Sequence, residues 1–244
     1  MPDVLVHLED RYPNLRVQVT EKEPEDSLPA LSAGDFDLVL GEEYPDQPLP
    51  GVPGADRETL LLDPLELAVP ARWGRVGLAD VADRPFAMEP EGTTSRRWAV
   101  THCRSHGFEP DVRYTSTDLQ VHLRLVEHGL AAALLPQLAH ASKHHGVTAV
   151  TLDGHPARRV FLCTRTGAQR RPALKAVVDA LHSAARGPER PEGRAHSRRQ
   201  RRAGSRSAVG SLAEAGVSGA TWPASAIARA SSTATEVTPR NTVR

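Results

Sequence analysis

"LRVQVTEKEPEDSLPALSAGDFDLVLGEE", residues 15–43, passes from one hydrophobic period to another and back again. Leu15, Val17 and Val19 alternate with Arg16, Gln18 and Thr20, the period of two that marks a strand with one buried face. Asp26 to Ala33 then suits a short helix, and Gly34 suits its stop. The apolar run from Asp37 to Gly41 reads as a second, buried strand. A strand, a helix and a strand in this order imply a β-α-β unit with parallel strands and a right-handed crossover.

The pattern extends in both directions. Upstream, "VLVHLEDRYP" sets Val4, Leu5, Leu8 and Tyr12 at helical spacing and ends at Pro13. Downstream, residues 42–57 are rich in Pro, Gly and Asp and read as a loop. In "ETLLLDPLELAVPAR" two apolar runs meet at Asp63-Pro64, where a strand is interrupted or changes sheets, because proline cannot donate to a ladder. A second α/β series follows: a short helix "LADVAD", strand "PFAMEP", helix Ser95 to His106, strand "DVRYTST" and helix Asp118 to His128. Strand "LAAALLP", a helix from Gln137 to His145 and strand "VTAVTL" complete it. "ARRVFLCTRT" is a long apolar strand, and the closing helix carries Leu174, Val177, Val178 and Leu181 on one face.

Composition narrows the function classes. The 244 residues carry 30 basic and 30 acidic side chains, so global charge favours neither a nucleic-acid nor a membrane partner. The acidic start, with Asp3, Glu9 and Asp10, does not suit a secretory signal, and no apolar run approaches a membrane span. The expectation is a cytoplasmic protein without a membrane partner. Cys103 and Cys163 are too few and too far apart for a disulfide framework, and read as reduced thiols. Beyond Arg186 the sequence becomes Arg, Ser, Ala, Gly and Pro with little hydrophobic periodicity, so residues 187–244 read as a disordered tail. Its run "RRQRRAGSR" could touch nucleic acid by charge alone, but a solvated tail or a frame-shifted, GC-rich extension fits it better.

Several stretches, taken in order, resemble the effector-binding domain of LysR-type transcriptional regulators. These are "EDRYPNLRVQVTE", "LSAGDFDLVLGEE", "LLLDPLELAVPA", "LADVADRPFAMEP" and "LVEHGLAAALLPQLA", and the likeness runs from about Val4 to Arg186. The resemblance implies an α/β fold of two Rossmann-like lobes joined by crossover strands, like a type 2 periplasmic binding protein. "LELAVPA" would cross to the second lobe, "RRVFLCTR" would return, and the last helix would pack on the first. Lobe I would comprise residues 1–64 and 160–186, and lobe II residues 65–159. The family's helix-turn-helix is not in this sequence, nor is the domain's first strand with its turn into the first helix. The first lobe is therefore expected to be incomplete, and DNA contact would need a helix-turn-helix absent from this chain. The resemblance also implies a small-molecule effector and a homodimer or tetramer.

The effector cleft of such a fold lies at strand C-terminal ends and helix N-termini, where unpaired N–H groups favour polar or anionic ligands. Thr93, Thr94 and Ser95 stand at one such point, in "EPEGTTSRRWA"; one hydroxyl suffices for a helix cap, and three suggest a ligand. Ser116 and Thr117, with Asp118, repeat the pattern, and Pro24 and Ser27 occupy the matching place in the first lobe. Arg96 or Arg97 could supply a counter-charge, although consecutive helix residues point about 100° apart and at most one would face the cleft. His102/His106 and His140/His144 have i, i+4 spacing but lack a glutamate between them and a clear third ligand, so neither a metal nor a cofactor is expected. No GxSxG, P-loop or GxGxxG pattern occurs, and no enzymatic activity is expected. Two alternatives remain: a remnant that does not bind DNA, and a solute-binding protein of the same fold, which should carry an export signal.

Overall fold

In the computed structural model, which describes residues 1–74, 76–186 and 226–232, the chain builds one long mixed sheet with helices on both faces. Helix α1 (Pro2–Arg11) leads into strand β1 (Leu15–Glu21), helix α2 (Pro24–Ala33) and strand β2 (Leu38–Glu43). Strand β3 (Ala55–Pro70) is followed by β4 (Pro85–Met88), α3 (Thr94–Ser105), β5 (Asp111–Thr115), α4 (Leu119–Glu127) and β6 (Ala132–Pro136). Then come β7 (Val147–Thr151), β8 (Ala157–Arg165), α5 (Pro172–Ala185) and β9 (Ala226–Ser232).

The strand order β1-β9-β2-β8-β3-β6-β4-β5, with β7 also paired to β3, divides into two lobes along β3 itself. Residues Ala55 to Pro64 of β3 pair antiparallel with β8, and Leu65 to Pro70 pair with β6 and β7. The strand is continuous through Asp63-Pro64 and changes partners there. Pro64 sits opposite Ala157 at the end of the β8 ladder, where its missing N–H costs least, and Leu65 N donates to Pro156 O at 2.8 Å.

In the first lobe β2 and β8 are buried on both faces. Leu38, Leu40, Val160 and Leu162 join α1 and α5 in one core, with Val4, Leu8, Leu174, Val177 and Leu181. Val39, Phe161 and Cys163 point to the opposite core with Leu28 and Leu31 of α2. The second lobe repeats this arrangement: Leu67, Val69, Phe86 and Trp98 pack on one side, and Ala68, Ala87, Leu123 and Val126 on the other. Two-sided burial explains why these strands read as continuous apolar runs rather than alternating ones.

The expected parallel direction of β1 and β2 holds, and three local expectations change. β1 and β2 run parallel but are not neighbours, because β9 lies between them and is antiparallel to both. Residues 226–232 are thus a strand, while 187–225 and 233–244, also read as disordered, lie outside the described residues. The helix read at Gln137 to His145 is two short 3-10 turns, Gln137–Ala139 and Ala141–Lys143, because His140 adopts φ 57° and breaks the helical path. "LADVAD" likewise forms only a 3-10 turn, Ala79–Val81. Among the described residues no helix is long and apolar enough to cross a membrane.

Candidate functional site

The ends of β2, β4 and β6 and the N-terminal half of α3 converge between the lobes on a small cavity. Its lining includes Tyr44, Met88, Glu89, Ser95, Arg96, Trp98, His122 and Pro136, and its volume is about 20 Å³. That is room for one water-sized body, whereas metabolite pockets measure roughly 300–1,000 Å³. Two of the lining rings, Tyr44 and Trp98, pack together with their centroids 5.8 Å apart. A larger hollow of about 530 Å³ lies between Arg11–Leu15 and Arg171–Ala176 on the outside of the first lobe, but its lining is mostly exposed.

The turn into α3 accounts for its hydroxyls one at a time. Thr93 is the N-cap: its Oγ1 accepts from Arg96 N at 3.3 Å and donates to Pro90 O at 2.9 Å. Thr94 Oγ1 accepts from Arg97 Nη2 at 3.0 Å on the exposed side of the helix. Ser95 alone of the three lines the cavity, with its Oγ 3.2 Å from Thr93 Oγ1 and a further hydrogen bond to the Glu89 carboxylate. Of the two arginines, Arg96 lines the cavity and donates to Glu89 O at 3.3 Å, while Arg97 is exposed.

At the second candidate turn Asp118 caps α4 by accepting from Gln120 N at 2.8 Å, and Ser116 Oγ accepts from Asp118 N at 3.1 Å. Ser116 O also meets the buried His122 Nε2 at 2.9 Å. Thr117 is exposed and does not line the cavity. In the first lobe Pro24 occupies the first turn of α2, and Ser27 is fully buried and does not line the cavity. The structure thus brings Ser95 and Arg96 together at the cleft and holds Ser116 behind His122.

The most concentrated chemistry at the cleft comes from residues that the motif reading did not single out. Arg158, 2% exposed, donates through Nε to Asp63 Oδ2 at 2.9 Å and through Nη1 to Glu42. Asp63 Oδ1 in turn accepts from Leu138 N at 3.0 Å, tying the turn after β6 to both crossover strands. Burial pushes Glu42 up to about 7, with Arg158 opposing and Glu89, Asp63 and Glu23 adding to the rise. Glu89 is raised by burial too, and Ser95 partly offsets this. Burial and then the Glu42 charge raise the Tyr44 phenol, while burial holds the His122 imidazole below its ordinary value. Burial opposes the charge on Arg158, yet Glu42, Tyr44 and Asp63 keep it protonated. Glu42 and Asp63 thus flank the buried Arg158 beside the cavity, and Glu89 and Arg96 are the charged groups of its lining.

His102 stacks on Trp98 with ring centroids 5.1 Å apart, and His106 Nδ1 lies 2.8 Å from His102 O. Among the described residues no three His, Cys, Asp or Glu side chains are grouped to hold a metal ion.

Comparison with known proteins places this geometry in a family. The LysR substrate binding domain matches residues 1–186. A probable hydrogen peroxide-inducible genes activator from Streptomyces viridosporus is 34% identical over 200 residues, covering 76% of this chain and 61% of that protein. The regulator YcgK of Bacillus subtilis is 29% identical over 191 residues, covering 67% of this chain and 57% of that protein. The chain therefore spans about three-fifths of the length of these relatives. Among solved structures, the Synechocystis CcmR regulatory domain in complex with 2-PG has a TM-score of 0.63 at 17% identity, covering 77% of this chain and 91% of that one. The BenM effector binding domain with its effector benzoate has a TM-score of 0.60 at 19% identity, covering 75% and 85%. At such identities these structures speak to the fold, the same two-lobed α/β architecture. By sequence and by fold, the chain belongs to the LysR substrate-binding domain family.

Proposed function

We propose that the chain is the effector-sensing part of a LysR-type regulator and that its interlobe cleft takes a small polar metabolite. The carrying observation is the convergence of three strand ends and the α3 N-terminus on one small cavity at the crossover between lobes. Benzoate and 2-PG, named with the solved domains of the same fold, support a small-molecule ligand. Of the two chemistries expected from the sequence, polar and anionic, the hydrogen-bonding groups favour the polar one. The cavity wall carries one carboxylate, Glu89, and one guanidinium, Arg96, and burial raises Glu89 and the neighbouring Glu42 toward their neutral forms, so hydroxyls, amides and amines find donors and acceptors where no excess of positive charge draws an anion. Because the cavity holds little more than one water, binding requires the lobes or the Tyr44 and Trp98 rings to part. In the regulator this motion would pass to a homodimer or tetramer in the cytoplasm, and DNA would be met through a helix-turn-helix outside this chain.

A peroxide-sensing role borrowed from the Streptomyces relative finds no support in the thiols. Cys103 is fully buried in the second lobe and burial pushes it up to about 12; Cys163 is buried in the first lobe and is raised as well.

The reading is tested by thermal unfolding of the full chain against a panel of polyols, sugars, amides and amines, with dicarboxylates and phosphate esters as the anionic arm. A saturable rise in Tm with a neutral or cationic polar compound supports it. No shift with any compound, or shifts from the anionic arm alone, contradict it.

A further inference from the structure

We propose that the first lobe contains a strand-accepting slot between β1 and β2, and that the chain's own residues 226–232 occupy it in cis. This does not depend on what the cleft binds. Among the described residues β1 has no sheet neighbour except β9, and the pairing covers its whole length, from Leu15↔Ser232 to Glu21↔Ala226. β2 pairs with β8 on one edge, and its other edge takes β9 at Leu38↔Ala228, Val39↔Ile227 and Leu40↔Ala226.

The edge of β2 cannot be left bare cheaply. Leu38, Val39 and Leu40 are between 0 and 2% exposed, and a β2 without a second neighbour would turn its main-chain N–H and C=O groups toward a space about two strand spacings wide, roughly 10 Å. β1 would lose its only ladder while Leu15 and Val17 remain anchored on the first-lobe core. An extended segment inserted between the two strands satisfies both edges at once. It must run antiparallel to both, as β9 does, or parallel to both, because β1 and β2 share one direction.

The occupant is recognised through its main chain. "AIARASS" has no proline to remove a ladder donor and no glycine to loosen the strand, so its main chain presents unbroken donors and acceptors to both neighbours. Residues 187–225 are ample chain to reach the slot from Arg186 at about 3.4 Å per residue. The consequence is that integrity of the first lobe depends on a segment far beyond the end of α5. The LysR substrate-binding match, which ends at residue 186, does not include that segment.

The test uses the full chain with Val19→Cys and Ala228→Cys, which are register partners in the β1–β9 ladder. Opposed residues in an antiparallel pair have Cα atoms about 4.5–5.5 Å apart, within disulfide reach, and the native thiols are buried. Mild oxidation is expected to join the two cysteines within one chain, while the off-register pair Val19→Cys and Ser232→Cys forms less than about a tenth as much. Cross-linking no better than the off-register pair overturns the slot, and cross-links between two chains overturn the cis assignment. A second measurement is amide exchange on full-chain Ala228→Pro, which removes one ladder donor. Exchange in β1 is expected to quicken about tenfold or more while β4 and β6 keep their protection. Unchanged protection of β1 overturns the proposal.

Discussion

Arg158 Nε and Asp63 Oδ2 meet at 2.9 Å, and both side chains are almost fully buried where the two crossover strands pass between the lobes. The pair is 95 residues apart in sequence and belongs to β8 and β3, so it fastens the two halves of the crossover to each other. A buried ion pair contributes little net stability against an apolar substitute, but removing one partner strands the other in a medium that cannot solvate it. Asp63→Ala is therefore expected to cost about 3–5 kcal/mol in denaturant unfolding, and Asp63→Asn, whose single amide oxygen keeps one of the two acceptor positions that Arg158 and Leu138 use, less. Equal losses for the two variants would contradict this role.

Glu42, on the same guanidinium, makes stability depend on pH. Its carboxyl is raised to about 7 from 4.5, so between those values the folded chain holds a proton that the unfolded chain has released. Its contribution to stability is complete below about 4.5 and is lost as pH rises through about 7. His122 and His102 are lowered by burial and act in the opposite sense, so the informative quantity is a difference between proteins. The unfolding free energy of Glu42→Gln relative to the parent chain is expected to rise from about pH 4.5 to about pH 7.5. A flat difference would exclude the shift.

Gly41 in β2 is required by the ring it faces. A Cβ there would lie 2.5 Å from Phe161 Cζ, and Phe161 is completely buried between β2, β8 and α2. The ring has nowhere to retreat in a packed core, so Gly41→Ala is expected to destabilise the chain by about 1–3 kcal/mol. An unchanged denaturation midpoint would show that the core yields more easily than its burial implies.

The buried thiols predict indifference to peroxide. On the folded full chain, hydrogen peroxide at concentrations that oxidise exposed low-pKa thiols is expected to leave Cys103 and Cys163 unmodified by mass spectrometry. A disulfide or sulfenic acid formed without unfolding would reopen the peroxide-sensing reading.

What could be read from the sequence was local. The stop of α2 at Gly34, with φ 91°, and the caps at Thr93 and Asp118 follow from the preferences of single residues. So do the apolar runs of β2 and β8. The site was only half legible because its strongest groups meet across long separations: Arg158 and Glu42 are 116 residues apart. A signal was nonetheless there. Glu42 and Glu89 stand at the C-terminal ends of buried strands, where open α/β folds place their ligands, and Arg158 stands just ahead of the apolar run of β8. Helical spacing misled at Gln137 to His145, since spacing does not register a left-handed residue such as His140. β9 escaped the composition reading because its main-chain bonds come from neighbours on both sides and not from an apolar pattern of its own.

The most direct test of the sensing account is the affinity of the best polar compound from the thermal screen, measured by calorimetry on the full chain and on two single variants. Ser95→Ala removes the one hydroxyl of the α3 turn that faces the cleft; Thr117→Ala removes an exposed hydroxyl outside it. The account predicts binding weakened about tenfold by Ser95→Ala, the worth of one or two hydrogen bonds, and changed less than about twofold by Thr117→Ala. Equal affinity in all three proteins, or a loss confined to Thr117→Ala, would place the effector elsewhere and contradict it.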